Sequence, residues 1–334
     1  MRTSAVRPRP PPTIRPVLCH PRHNGAAIGQ SALGGRSPHA IRPKMIEQFL
    51  HDVSWVVPYR SEAATLVFNA FTLAGYTPFF LVLLPLGYWL WDKALFTRLA
   101  LLIGLVGLSN TFLKELFMDP RPPIAFALDG RVGESFGFPS GHAQIAVAMW
   151  FYLAMELKRS WAWVAAAVLA AGVCFSRIYL GVHDVEDVLG GALIGLACIF
   201  IFKGLERERM ITEAHPAAQL LGLAAIAPVA WALWPRPGDM PESMLALTAF
   251  LFCWWTGRLI EERWINYQRH GNWAVAILGT VAGVAIVFVL LKVVGDVAEA
   301  AGLKSLAQTA QMSVIAIYVT AIAPALFRLT RLGW

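Results

Sequence analysis

The sequence predicts an all-α polytopic membrane bundle of about nine transmembrane helices. Three observations carry that class. First, 57% of the 334 residues are hydrophobic and only 15% are charged, where a soluble domain carries about 45–50% and about 25%. Second, nine apolar segments fall at roughly 64–91, 95–117, 141–157, 161–180, 184–203, 215–234, 244–260, 272–294 and 309–328, each near the ~20 residues that a bilayer-spanning helix needs. Third, the breaks between them carry turn residues or charges, such as Asp92-Lys93, Lys158-Arg159 and Pro235-Arg236-Pro237-Gly238.

Residues 1–44 hold eight basic residues (Arg2, Arg7, Arg9, Arg15, Arg22, Arg36, Arg42, Lys44) and no acid. Subtracting those eight from the net charge of +7 leaves about −1 for residues 45–334, so the basic character belongs to this segment. It is rich in Pro, Arg and Gly and lacks helical periodicity, the composition of a disordered tail. It has no apolar run of the kind a secretory signal needs. A nucleic-acid or lipid-headgroup arm fits the charge, but an upstream extension with Met45 as the true start fits it better, and no nucleic-acid partner is expected. Residues 45–61 follow. Their stretch at 46–58 is too short and too mixed to span, and predicts an amphipathic interfacial helix.

The segments from 62 to 205 form one expected core and those from 206 to 334 an extension. Lys93, Arg98, Lys158, Arg159, Lys203, Arg207, Arg209, Arg258, Arg263, Arg269, Arg328 and Arg331 crowd one set of loops, which the positive-inside rule makes cytoplasmic. The opposite loops then face outward. Gly191 and Gly195 form a small-xxx-small pair, read as close helix packing. Trp254, Trp255 and Trp264 flank a basic loop and read as interface anchors. Cys19, Cys174, Cys198 and Cys253 show no paired spacing and read as small hydrophobes, not as a disulfide or metal framework.

Three polar clusters share the outward side: KELFMDPRP at 114–122, FPSGHAQ at 138–144 and SRIYLGVHDVED at 176–187. Ionisable residues between apolar spans are costly and mark function. Lys114, Arg121 and Arg177 are cations with few nearby acids, and arginine forks suit phosphate oxygens. Ser140 is a good N-cap. Gly141 lets backbone N–H groups approach an anion at the start of the next helix, a natural phosphate site. His183 and Asp187 are four apart and are expected on one helix face. A carboxylate on one ring nitrogen fixes the tautomer and frees the other nitrogen to attack. His142 is placed to protonate a leaving oxygen. Neither convergent carboxylates nor Cys/His ligand spacing is present, so no metal or other cofactor is expected.

Taken singly, Lys114 reads as snorkelling, Ser140-Gly141 as a cap, and His183 with Asp187 as a surface pair. Together, in order and on one side, they resemble the type-2 phosphatidic acid phosphatase superfamily, whose signature is K-x6-R-P, P-S-G-H and S-R-x5-H-x3-D. Here Lys114 stands six residues before Arg121-Pro122. Pro139-Ser140-Gly141-His142 follows, and Ser176-Arg177 leads to His183 and Asp187. The resemblance covers roughly 62–205. It implies that His183 is the nucleophile of a phosphohistidine route, that His142 is the general acid, and that Asp187 is the partner of His183. It further implies that Lys114, Arg121, Ser140, Gly141 and Arg177 hold phosphate and that no metal is needed. The superfamily's six-span members carry three spans before the first motif; this chain has two and the interfacial segment. The signature says nothing about the four C-terminal segments.

The function these residues imply is hydrolysis of a lipid phosphate or lipid pyrophosphate on the periplasmic face of a bacterial inner membrane, with membrane lipids as surroundings. Three alternatives compete. A lipid phosphotransferase would use the same phosphohistidine and make an acceptor-dependent product. A vanadate-dependent haloperoxidase would share the oxyanion cradle, though such relatives are mostly soluble. A transporter or scaffold would not need the complete signature. The 119–140 loop is expected at the pocket rim; its Asp129, Arg131 and Glu134 are candidate headgroup contacts, though plain loop polarity is the commoner explanation. The particular lipid and the oligomeric state are not legible in the residues.

Overall fold

The computed structural model describes residues 49–133, 135–208, 214–235 and 242–333. The basic tail, residues 46–48 of the expected interfacial helix, and Glu134 lie outside the described residues. The helices, in chain order, are α1 (Glu62–Leu73), α2 (Thr77–Leu90), α3 (Lys93–Phe117), α4 (Gly141–Leu157), α5 (Ser160–Tyr179), α6 (Val185–Arg207), α7 (Pro216–Ala232), α8 (Glu242–Ile260), α9 (Trp273–Ala300), α10 (Ala307–Ile317) and α11 (Ala323–Leu329). No strand occurs among the described residues.

All nine apolar segments are helical, but fewer than nine are single helices of spanning length. Six helices are long and apolar enough to cross a membrane, or seven if the bent pair α1–α2 counts as one. The reason lies at the helix ends. α4 cannot begin before Pro139-Ser140, and it stops where Lys158 turns left-handed (φ 52°), leaving 17 residues. α7 also has 17. The first segment, read as one span, is two helices meeting at 55°. The break falls at Ala74-Gly75-Tyr76, and Pro78 restarts the chain in the first turn of α2.

The N-terminal segment is likewise not a continuous interfacial helix. Asp52 accepts bonds from the Ser54 N–H (2.7 Å) and Oγ (2.8 Å), which interrupts the helix and starts a 3₁₀ turn over Ser54–Tyr59. Val56 from that turn is buried against Tyr179, Leu180 and Val182. The segment is docked onto the end of α5.

α4 lies at the centre, packed against α3, α5 and α6. α1 covers α5. α2 and α3 connect this group to α8, α9 and α10, of which α10 packs on both of the others. Gly191 and Gly195 do what their spacing predicts: a Cβ on either would stand 2.5 Å from a backbone carbonyl of α4, that of Ser140 or Gln144. The usual burial pattern is turned around. Leu193, Phe200 and Ile201 on α6 and Leu278 and Val281 on α9 are exposed, while Lys114, Gln144, Arg177, His183, Asp184 and Asp187 are buried. An apolar exterior around a polar interior suits lipid as the solvent.

At the far end from the polar interior, α3, α4 and α6 are tied by ion pairs. Arg98 Nη2 meets Glu156 Oε2 at 2.9 Å, and Lys203 Nζ meets Glu156 (2.7 Å) and Glu206 (2.8 Å). Trp254 and Trp255 are buried in the core, and only Trp264 of that trio is exposed. The interface-anchor reading therefore fails for the first two. The charges beside them mislead because α8 faces α3 and α10, not the bilayer edge.

Candidate active site

Four stretches of chain converge where α3 ends and α4 and α6 begin. α3 delivers Lys114 in its last turn and then stops at Met118 in the left-handed region (φ 51°). Buried Lys114 donates to the carbonyls of Phe136 and Gly137, the latter at 2.8 Å. It clamps the 119–140 loop and does not snorkel. Arg121 leaves the same turn. It donates through Nε to Ser135 O (2.6 Å) and through Nη1 to Val182 O (2.9 Å), and Nη1 lies 3.1 Å from His183 Nε2.

The His183–Asp187 pair forms, at 2.8 Å between Nδ1 and Oδ2, but not as two turns of one helix. α6 starts at Val185, so His183 precedes it. Asp184 is the N-cap and accepts from Asp187 N–H (2.9 Å), while the Asp187 side chain accepts from the Asp184 N–H (3.3 Å). This reciprocal capping holds the carboxylate in place, and the same carboxylate then takes the imidazole. Because a carboxylate accepts, Nδ1 carries the proton and Nε2 keeps its lone pair. Burial, reinforced by the charges of Arg121, Lys114 and Arg177, holds the His183 pKa well below the usual histidine range.

Arg177, in the last turn of α5, is 1% exposed. Its Nη1 donates to Thr72 Oγ1 and to Asp129 Oδ2 (3.2 Å). Asp129 also accepts from Tyr76 O–H (2.5 Å) and Arg131 Nε (2.8 Å). Burial alone would raise its pKa, but the bonds from Arg131 and Tyr76 and the charge of Arg177 bring it down to about 2. Tyr76 also meets the His142 ring edge-on, at 4.5 Å between centroids. His142 is the second residue of α4, and its ring lies against Gly75, where a Cβ would sit 2.2 Å from His142 Cδ2.

Lys114, Arg121, Gly141, His142, Arg177 and His183 thus line one pocket of about 230 Å³, together with Tyr76, Asn110 and residues 131–133 and 135 of the loop. Asp187 stands behind His183. Ser140 occupies the N-cap position of α4, but its side chain makes no capping bond; its Oγ is buried and unpartnered among the described residues. The capping expectation for it fails because its backbone N–H is held by Asp187 O at 2.9 Å, which fixes the residue without its hydroxyl. Arg177 Nε and His142 Nε2 are also buried without partners among the described residues. Buried polar atoms are satisfied in the great majority of cases, so three such groups around one pocket suit an oxyanion that brings its own acceptors. Tyr76, Asn110 and Thr72 escaped the sequence reading, and Gln144 stood in its second polar cluster without a role. Only Gly75-Tyr76-Thr77-Pro78, a turn signal inside an apolar run, could have exposed the first. Asn110 donates to Pro139 O (3.0 Å) and Gln144 Oε1 (2.9 Å), and so fixes the start of α4.

Two segments of the chain match family models. Residues 95–211 match the PAP2 superfamily, and residues 245–333 match a second segment described as the transmembrane extension of PAP2 superfamily phosphatases. The chain carries a PAP2 superfamily domain and a PAP2 transmembrane extension. Among curated PAP2-type relatives, human sphingosine-1-phosphate phosphatase 2 is 35% identical over 128 residues, 36% of this chain and 32% of that protein. Phosphatidylglycerophosphatase B of Bacillus subtilis is 35% identical over 127 residues, 35% of this chain and 60% of that protein. The matches thus span from about a third to three-fifths of these relatives. A crystal structure titled as the first transmembrane PAP2 type phosphatidylglycerolphosphate phosphatase from Bacillus subtilis shares 29% identity, with a TM-score of 0.42, over 51% of this chain and 89% of that one.

Proposed function

We propose that this integral-membrane protein hydrolyses lipid phosphates or lipid pyrophosphates, without a metal, through a phosphohistidine on His183. On this reading residues 62–205 are the catalytic core, and the pocket opens to the outer, periplasmic face of a bacterial inner membrane. The observation that carries the proposal is His183: its Nδ1 is bound to Asp187, and its Nε2 lies in a pocket ringed by Lys114, Arg121, Arg177 and His142.

The steps follow from these positions. The substrate phosphoryl group enters among the three cations and the N–H groups at the start of α4, which stabilise charge on its equatorial oxygens. Arg121 now donates to His183 Nε2 and must turn to the phosphate, which uncovers the lone pair. Nε2 attacks phosphorus, and the bond to the lipid oxygen breaks as His142 supplies that oxygen's proton. Asp187 stabilises the positive charge that grows on the imidazole. A water then attacks the phosphohistidine and gives its proton to His142, and the P–N bond breaks to release phosphate and restore neutral His183. The relatives named as sphingosine-1-phosphate phosphatase and phosphatidylglycerophosphatase support a lipid phosphate as the substrate class.

The test is phosphate release by the purified protein from a panel of lipid phosphates and diphosphates in EDTA, with His183→Ala alongside. Release that persists in EDTA and falls about 10³-fold or more in the variant supports the proposal. Release that needs a divalent metal, or that survives the substitution, overturns it. An acceptor-dependent phosphorylated product in place of free phosphate moves the assignment to phosphoryl transfer.

A further inference from the structure

A second cavity, of about 280 Å³, lies between α2, α3, α8 and α10. It adjoins the phosphate pocket: Asn110 lines both, and Gly75, which backs the His142 ring, lines the cavity. Its polar lining is Thr77, Asn110 and Thr111, which adjoin that junction, with Ser243 and Gln308 in the first turns of α8 and α10, and its far end, at Trp254 and Val319, is apolar. Eleven residues of α8 separate Ser243 from Trp254, a depth of about 16 Å at the helical rise. A polar mouth on a deep apolar body is the usual form of a small-ligand site, and this volume sits at the small end of the ~300–1,000 Å³ range.

From this we infer that the C-terminal extension builds the binding site for one hydrocarbon chain of the substrate and thereby sets which chain lengths are used. The inference rests on the phosphatase reading above and adds to it. In-line displacement places the leaving oxygen away from His183 and beside His142. The rest of the lipid must therefore depart on the His142 side, where the cavity begins. Ile145, one turn beyond His142 on α4, is part of its wall. The opposite wall belongs to α8 and α10, outside the 95–211 match to the superfamily and almost wholly within the 245–333 match to its transmembrane extension. The two walls are brought together by glycines of α3. A Cβ on Gly104 would stand 2.5 Å from Leu251 Cδ2, and one on Gly107 3.0 Å from Leu247 Cδ1. These glycines bring α8 close beside the site, and Leu247 and Phe250 project into the space that remains.

The experiment measures kcat/KM for n-alkyl phosphates from butyl to hexadecyl, with the full-length protein in nanodiscs. Leu247→Trp, which fills the cavity near its mouth, is expected to lower kcat/KM for the long chains about tenfold and to spare butyl phosphate. Phe250→Ala, which enlarges it, is expected to move the optimum to longer or bulkier chains. If both variants change all chain lengths in parallel, or neither changes any, the tail-site inference is overturned while the phosphatase reading stands. If the unaltered protein releases phosphate from no ester in the series or in the lipid panel, the phosphatase reading itself falls, and the inference with it. Should Leu247→Trp fail to fold, the shift or constancy of the optimum in Phe250→Ala decides alone.

Discussion

His142 and His183 are both histidines at helix starts, yet the chain treats them differently. His183 has a carboxylate on one nitrogen and an arginine at the other; His142 has an aromatic edge, a glycine backbone and a free Nε2. On the proposed route the first serves as a neutral nucleophile and the second exchanges a proton. His142→Ala should therefore cost about 10²–10⁴-fold with an alkyl phosphate and far less with p-nitrophenyl phosphate, whose leaving oxygen needs no proton. Equal losses on the two substrates would contradict the general-acid role. The pH dependence follows from His183. Its folded pKa lies below the ordinary value of 6.5, so the imidazole stays unprotonated through the range in which a free histidine takes up a proton. The acid limb of kcat/KM is expected below pH 6.5. The same depression means that the unfolded chain binds the proton first, so stability falls as pH drops through 6.5. Asp129 has the same sign of shift but, as an acid, the opposite charge logic. Its folded pKa of about 2, against 3.8 unfolded, adds stability above pH 3.8 that is lost as pH falls toward 2. Asp129→Asn should remove that component and leave Arg177 buried beside a neutral amide. The measurement is urea denaturation across pH in detergent.

The start of α6 does two tasks with one set of residues. The capping pair Asp184 and Asp187 begins the helix, and Asp187 also orients His183. Behind it, Gly191 and Gly195 admit the carbonyls of α4. Gly191→Ala and Gly195→Ala each drive a methyl into backbone, which cannot yield as a side chain end does. Each is expected to lose about 1–3 kcal/mol. Gly191→Ala should also lower activity, because the carbonyl it pushes belongs to Ser140. Gly204 on the same helix has nothing within 4 Å of an added Cβ, so Gly204→Ala should be neutral or gain about 0.5–1 kcal/mol. Comparable losses at all three positions, read from thermal unfolding, would refute the packing account. α1 and α2 show the same economy: the bend between them places Tyr76 against both Asp129 and His142, with Gly75 allowing the approach.

For the whole molecule, the lysine and arginine asymmetry of the loops predicts which end faces out. The phosphate pocket and the ion-paired cluster of Arg98, Glu156, Lys203 and Glu206 occupy opposite ends of α3, α4 and α6. Exposed Ile124 marks the first end, and exposed Trp264 lies in the turn over Glu261–Ile265, among Arg258, Arg263 and Arg269 of the loops read as cytoplasmic. In a chain whose four native cysteines are replaced by alanine, Ile124→Cys should react with a membrane-impermeant maleimide on intact cells. Trp264→Cys should react only after permeabilisation. The reverse pattern would place the site on the cytoplasmic side.

Membrane class, helical content and the three polar clusters were legible because they are local. Apolar runs of sufficient length must be helical in lipid, where each backbone polar group needs an internal partner. The length of the runs between 114 and 187 also brings Lys114, His142 and His183 to the same end. Helix ends were legible unevenly: α4 has the bounds read for it, 141–157, whereas the 215–234 segment shortens to 17 residues and the 64–91 segment breaks into two helices. What no local pattern encodes is partnership across the chain. Arg177 reaches Thr72 across 105 positions and Asp129 across 48, and Asp129 consequently read as ordinary loop polarity. Trp254 and Trp255 read as anchors and are core. The tail cavity draws its walls from α2, α3, α8 and α10, helices whose sequences all say only that they are apolar. Apolar composition determines that such helices are helices in a membrane. Which of their faces meet, and what space they leave between them, is decided by the close approach that a few glycines permit.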